Sequence, residues 1–219
     1  MMKVLELVNG RLRRIKDKSK AILLYGSFAR GEIDELSDID VMVILREPSD
    51  LEYVKEQLKD FNAVITTEEG VKETLKFHPS IAIMLKEAIV LHGKPPEIPE
   101  LNKEDMLREL DEALKIMDVN ESLLFDIDEE TVSAVIYSTI LRARQAYIIR
   151  CLLRNEKMTK KGFIEELRKL GIREVYYNYF RLARDDKLKI LIDEKELERV
   201  VKIVRNYIKE VRNEVEENL

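Results

Sequence analysis

The apolar residues of this 219-residue chain follow two different periods, and the change from one to the other divides it. In the first part, short contiguous apolar runs alternate with stretches in which apolar positions recur every three or four residues. Leu5, Val8, Leu12 and Ile15 have the second spacing and predict an amphipathic helix from Met2 to about Lys18. Ala21 to Tyr25 is an apolar run that reads as a buried strand, followed by a Gly26-Ser27 turn and a short connection. A second strand ends at Leu45 and carries Asp38 and Asp40 at its start. Glu47-Pro48-Ser49 breaks the pattern, and Ser49-Asp50-Leu51-Glu52 has the form of a capping box that opens a helix through Leu51, Val54, Leu58 and Phe61. The β-branched stretch from Phe61 to Thr66 predicts a third strand. Thr66-Thr67-Glu68-Glu69 predicts a helix start, Pro79 precedes a short helix, and Ile89-Val90-Leu91 predicts a short final strand.

Beyond Gly93 only the helical period remains. Three prolines at positions 95, 96 and 99 remove backbone donors and favour extended chain, so residues 94–101 are expected to be a linker between residues 1–93 and residues 102–219. Leu107, Leu110, Leu114 and Met117 predict one helix, and Val132, Ile136, Thr139 and Ala143 begin a longer one reaching Leu153. Further helices are expected from Thr159 to Leu170, from Val175 to Ala183, and after Asp193, the last carrying Leu197, Val200, Val204, Ile208, Val211 and Val215. Stripes this long need partner helices, which predicts an all-α up-and-down bundle.

Composition narrows the setting. Hydrophobic residues make up 45% and charged residues 37%, which describes a globular protein with a heavily ionised surface. No apolar run approaches the length of a membrane span, and the first residues lack the apolar block of a signal peptide, so the cytoplasm is the expected location. The net charge of −5 argues against general nucleic-acid binding. Arg11, Arg13, Arg14 and Lys16 read as a solvated helix face, and Arg154, Lys157, Lys160 and Lys161 as an exposed helix start. Cys151, the one cysteine, sits in an apolar run and reads as a buried thiol. His78 and His92 have no partners at zinc-ligand spacing and read as surface or loop residues. Abundant Lys, Glu and Arg with no Trp resemble a thermophile's usage.

The candidate chemistry lies between the first two strands. Acids at i and i+2 of a strand project from one face, and two adjacent anions are relieved by a shared divalent cation held through hard oxygen ligands, the preference of Mg²⁺. Gly26 lets the backbone approach a ligand closely, and Ser27 adds a hydroxyl donor, so the turn suits phosphate. A lone Asp-x-Asp is usually a solvated turn; its pairing with Gly-Ser between two apolar strands is what carries the signal. No GxxxxGK[ST] sequence occurs, so phosphate binding must rest on this turn.

Gly26-Ser27, ten intervening residues and Asp38-Ile39-Asp40 resemble the signature of the polymerase-β-like nucleotidyltransferase superfamily. GSFARG followed by SDID is most similar to its minimal nucleotidyltransferase branch, and the resemblance covers the first ninety-odd residues. It implies an α/β (α+β) domain with a small mixed sheet, an NTP, foremost ATP, as substrate, and Mg²⁺ held by Asp38 and Asp40 as catalytic metal ligands. Gly26, Ser27 and Arg30 would bind the phosphates, and an NMP group would pass to a hydroxyl of a protein, an RNA or a small molecule. The resemblance also implies a third carboxylate on the third strand, where this chain has Asn62. Asp60, Glu68 and Glu69 are the nearby acids in sequence.

The helical half resembles, in architecture, either a fused HEPN domain or the substrate-binding half of antibiotic nucleotidyltransferases. HEPN ribonucleases share an Arg followed about five residues later by His. Here the matching placements are Arg184 with Lys189, or Arg205 with Glu210, and neither supplies an imidazole, which argues against RNA cleavage. The alternative to a transferase is therefore a nucleotide-binding interaction module of toxin–antitoxin type, with a protein partner, whose transfer chemistry has decayed. Tyr176, Tyr177, Tyr179 and Phe180 read as bundle packing, and the exposed helical stripes are compatible with a homodimer.

Overall fold

The computed structural model describes residues 10–33, 37–78, 80–100, 102–125, 128–183 and 192–218. The chain divides into two compact units, Met1–Glu100 and Leu101–Leu219. The first is an α+β domain on a small mixed sheet and the second is helical.

Four strands form the sheet: β1 (Ser19–Tyr25), β2 (Asp40–Leu45), β3 (Asn62–Thr66) and β4 (Ile89–Gly93), in the order β3-β2-β1-β4. β1 runs antiparallel to both β2 and β4, whereas β2 and β3 are parallel. The two central strands are buried on both faces, which explains why they read as contiguous apolar runs. Ile22 and Leu24 of β1 share a core with Val41, Val43 and Leu45 of β2, the period of two selecting one face. Leu12, Ile15, Val54 and Leu58 close that core. Four helices connect the strands: α1 (Gly26–Arg30), α2 (Leu51–Gln57), α3 (Glu68–Phe77) and α4 (Ile81–Lys86).

Local contacts explain where the sequence pattern and the structure part. The first predicted helix is helical at residues 10–12 but gives way to a turn and a 3₁₀ turn at Lys16–Lys18. Ser19 Oγ donates to the Ile15 carbonyl at 2.7 Å and Arg46 N–H donates to the Lys18 carbonyl at 2.9 Å, which draws the chain into the sheet. Leu5 and Val8 lie outside the described residues. The capping box at Ser49 does not form: Pro48–Asp50 is a 3₁₀ turn, and Asp50, with helical backbone angles, accepts from Lys18 at 2.7 Å instead. Leu51 is exposed in consequence, while Val54 and Leu58 are buried as expected. Thr67 does cap α3, accepting from Gly70 N–H at 3.1 Å. His78 is exposed, but His92 lies half-buried on β4, opposite Ile22, and is not a loop residue.

The second unit contains α5 (Lys103–Leu123), α6 (Glu129–Leu153), α7 (Lys160–Lys169), α8 (Glu174–Ala183) and α9 (Glu194–Asn218). Among its described residues no helix is long and apolar enough to cross a membrane. Asn120 bonding Thr139 at 3.2 Å and Gln145 bonding Glu109 at 3.3 Å make α5 and α6 antiparallel. Arg205 on Asp118 and Arg212 on Asp111, at 2.5 and 2.6 Å, do the same for α5 and α9. The buried face of α5 carries Met106, Leu110, Ala113 and Met117, one position round from the expected Leu107 and Leu114, which are only half-buried. The aromatic run packs the bundle: Tyr137 stacks on Phe180 at 5.0 Å, and buried Tyr176 bonds Glu196 at 3.0 Å.

A buried guanidinium ties three helices together. Arg150 of α6 donates to Glu166 of α7 at 2.6 Å and to Glu210 and Glu214 of α9 at 2.5 Å. Burial opposes its charge, but the three carboxylates outweigh that cost and hold it above the usual arginine range. Arg150 therefore cannot be removed without leaving Glu166 and Glu214 as poorly compensated anions. We expect Arg150→Met to destabilise the protein by about 3 kcal/mol in urea unfolding, the loss typical of breaking one side of a buried ion pair.

Glu196 generates an acid-stability prediction. Hydrogen bonds from Arg199, against a desolvation penalty, together with one from Tyr176, lower its carboxyl to about 2 from the ordinary 4.5. A carboxylate whose folded pKa is lowered stabilises above its unfolded pKa, and that contribution is lost as the pH falls through the folded value. Between pH 4.5 and about 2 the wild-type Tm should therefore fall more steeply than that of Glu196→Gln, as thermal melts across this window would register.

Candidate active site

The carboxylate of Asp40 and the backbone of Gly26 are brought together by strand register. Tyr25, the last residue of β1, pairs with Asp40, the first residue of β2, so the residue after Tyr25 necessarily passes beside the Asp40 side chain. Gly26 takes φ +72°, and a Cβ added there would stand 2.2 Å from Asp40 Oδ2. Glycine is thus required twice, by backbone conformation and by the space its neighbour occupies.

The Gly-Ser segment that the sequence suggests as a simple turn is the start of α1, a helix of little more than one turn. Gly31, at φ +74°, ends it, and Glu32 N–H donates to the Ser27 carbonyl at 2.9 Å. Phe28 packs onto the sheet core and anchors the segment. Ser27 is half-buried.

Asp38 lies two residues before β2, which begins at Asp40, so the expectation that the strand carries both acids is met only by Asp40. Extended pairing reaches one residue further back, because Asn62 N–H donates to the Ile39 carbonyl at 3.1 Å, and Ile39 packs against the core. Asp38 is exposed and Asp40 half-buried.

Asn62 occupies the place where a third acid is expected. Parallel register sets it beside Asp40, and its amide Nδ2 donates to Asp40 Oδ1 at 2.5 Å. The other acids considered from sequence have different roles. Asp60 accepts from Arg11 at 3.0 Å. Glu68 pairs with Lys20 at 2.9 Å, which lowers its carboxyl below the usual range, and Glu69 is exposed in the first turn of α3. Glu68 and Glu69 follow Thr66, which pairs with Ile44, so they leave the sheet at the end opposite Asp40, about 13 Å away at the usual rise per residue. Among the described residues, no three or more His, Cys, Asp or Glu side chains gather as a metal site. Mg²⁺ is commonly held by one or two carboxylates with substrate phosphates completing its shell, and the carboxylates of Asp38 and Asp40 are donors of that type.

Arg30, expected from the sequence to bind phosphate, is paired with acids of the first unit. Its side chain is only 6% exposed; Nε donates to Glu32 at 2.8 Å and Nη1 lies 3.8 Å from Glu87. These two partners were not read from the sequence. Glu87 stands 57 residues away, with no pattern linking it to Arg30.

Residues 5–104 match the family model of the nucleotidyltransferase domain, which spans nearly the whole first unit. The first unit is thus similar to the nucleotidyltransferases. A protein of Methanocaldococcus jannaschii, named as a protein adenylyltransferase, is 48% identical over 33 residues, 15% of this chain. The chain covers 33% of that relative's length.

Gly26→Ala should cost roughly 2–4 kcal/mol, combining left-handed backbone strain with overpacking against Asp40. Chemical denaturation would measure that loss, and a crystal structure of the variant should show the Asp40 carboxylate displaced.

Proposed function

We propose that the first unit transfers an NMP group from an NTP, with ATP as the expected donor, to a hydroxyl acceptor, a protein hydroxyl being the leading candidate. The observation that carries this reading is the Asp40 carboxylate seated against the side-chain-free Gly26. An acid suited to a cation is thereby fixed at the first residue of the Gly-Ser segment. The nucleotidyltransferase match supports the reaction class, and the name of the partial relative supports adenylyl transfer to protein.

In this reading Gly26 and the Ser27 hydroxyl receive the β- and γ-phosphates. Asp38 and Asp40 hold the metal-bound triphosphate so that the acceptor oxygen approaches the α-phosphorus in line with the leaving group. The acceptor oxygen forms its bond to phosphorus and releases its proton to solvent water, the bond to the bridging α–β oxygen breaks, and pyrophosphate leaves. A bound Mg²⁺ would offset the phosphate charge and polarise the α-phosphorus. Arg30, engaged with Glu32 and Glu87, fixes the end of α1.

A second reading, a nucleotide-binding interaction module without transfer, is favoured by one observation. Asn62 adds no charge and is a poor base where an acid is expected. Arg205 and Glu210, the described placement of a ribonuclease-like pair, bond to Asp118 and Arg150 respectively, which supports a structural role for both. The other placement, Arg184 with Lys189, lies outside the described residues.

Incubation with α-labelled ATP, Mg²⁺ and a whole-protein acceptor mixture separates the two. Transfer predicts pyrophosphate release and labelled protein, both reduced to buffer-control level in the Asp38→Ala, Asp40→Ala double variant. Pyrophosphate release that survives the double substitution would overturn the assignment of the site, whereas Mg²⁺-dependent ATP binding without turnover would favour the module.

A further inference from the structure

We propose that Asn62 is a positioning residue for Asp40 and that, by standing where a third acid would, it makes the site accept a divalent cation only together with nucleotide phosphates. This rests on the reading of Asp38 and Asp40 as the metal-binding acids.

Both oxygens of Asp40 have fixed surroundings. Oδ1 accepts from the Asn62 amide at 2.5 Å, and Oδ2 lies where a Cβ of Gly26 would stand. A carboxylate has a plane, and one hydrogen bond at one oxygen together with a backbone wall at the other sets that plane. The arrangement comes from sheet geometry, because Asp40 and Asn62 are register partners on adjacent parallel strands. Asn62 thus turns Asp40 toward the phosphate-binding segment before any ligand arrives.

The same contact fixes the charge of the site. An acid at position 62 would press a second anion against Asp40 at hydrogen-bond distance, an arrangement that is unfavourable unless a cation lies between them. Asparagine replaces that repulsion with a hydrogen bond, so the strand pair is stable with no metal. The corresponding cost is cation affinity. Two acids, one of them already sharing an oxygen with an amide, supply too few ligands for an ion that requires six oxygens and sheds water reluctantly. Water fills the remaining positions in the free protein, and the chelating oxygens of the triphosphate supply the affinity that two acids lack. Metal and nucleotide therefore bind as one unit, and the free protein holds the cation weakly.

Binding of Mn²⁺, followed by its electron paramagnetic resonance signal, tests this without reference to turnover. Wild type should bind Mn²⁺ weakly alone and strongly with a non-hydrolysable ATP analogue. Asn62→Asp should bind Mn²⁺ alone about tenfold or more tightly than wild type, and its Tm should be lower than wild type in EDTA and recover on adding Mn²⁺. Asn62→Ala, which removes the donor without adding charge, should leave Mn²⁺ binding weak and lower the affinity for the Mn²⁺–analogue complex severalfold. If Asn62→Asp leaves nucleotide-free Mn²⁺ affinity unchanged while Asp40→Asn abolishes binding of the complex, the role of Asn62 is refuted and the site reading stands. If the complex binds equally well to wild type, Asp38→Asn and Asp40→Asn, the site reading itself falls and this inference with it.

Discussion

The pairing of Tyr25 with Asp40 and of Asp40 with Asn62 is the constraint on which the first unit's chemistry depends. Three strands fix three side chains at one end of the sheet, and none of the three relies on a long flexible loop for its place. Buried apolar runs hold the register: a one-residue slip of β2 would turn Val41, Val43 and Leu45 away from their core and move Asp40 from Gly26. The stability of the sheet and the position of the acid are therefore one property. The site resists displacement because moving it would expose the hydrophobic core.

The helical unit is held by a different device. Its three long helices bury aliphatic faces, but α6 also buries Arg150, whose three acidic partners come from α7 and α9. An apolar replacement of the whole cluster could be equally stable, since desolvation offsets much of the attraction between buried ions. What the cluster supplies is direction, because a guanidinium has a fixed fork of donors and accepts only one arrangement of carboxylates. It fixes how far α7 and α9 slide along α6, which apolar side chains alone specify loosely.

The legible parts of the sequence were those governed by local rules. Contiguous apolar residues marked β1 and β2, and Thr67 stood where a helix cap forms. Departures occurred where a distant residue competed. Ser49 had the sequence of a capping residue, but Pro48–Asp50 forms a 3₁₀ turn in which Asp50 accepts from Lys18, 32 positions earlier. On α5 the pattern of leucines pointed one position away from the buried face, because Met106 and Ala113 fit the close approach of α6 and α9 and the larger leucines flank it. The pairing of Arg30 with Glu87 was not legible, because nothing in the sequence brings the two together. Asn62 was legible as the polar residue on β3, but its bond to Asp40 follows from parallel register, which a single sequence does not reveal.

Charge around the candidate site leads to one more step. Arg30 is already matched by Glu32 and Glu87, and the proposed site adds the carboxylates of Asp38 and Asp40 where a triphosphate would lie. A bare triphosphate approaching such a region meets repulsion on the order of 4 kcal/mol for each pair of like charges at 4 Å and the effective dielectric of a protein surface. In the proposed reading these two acids would disfavour an NTP lacking a counter-ion, and a divalent cation accompanying the phosphates would offset that repulsion. The acids would then act first on binding and only afterwards on the geometry of attack. An amide at position 62 suits this order, since a further anion there would deepen the barrier without supplying the phosphate oxygens that complete the cation's shell.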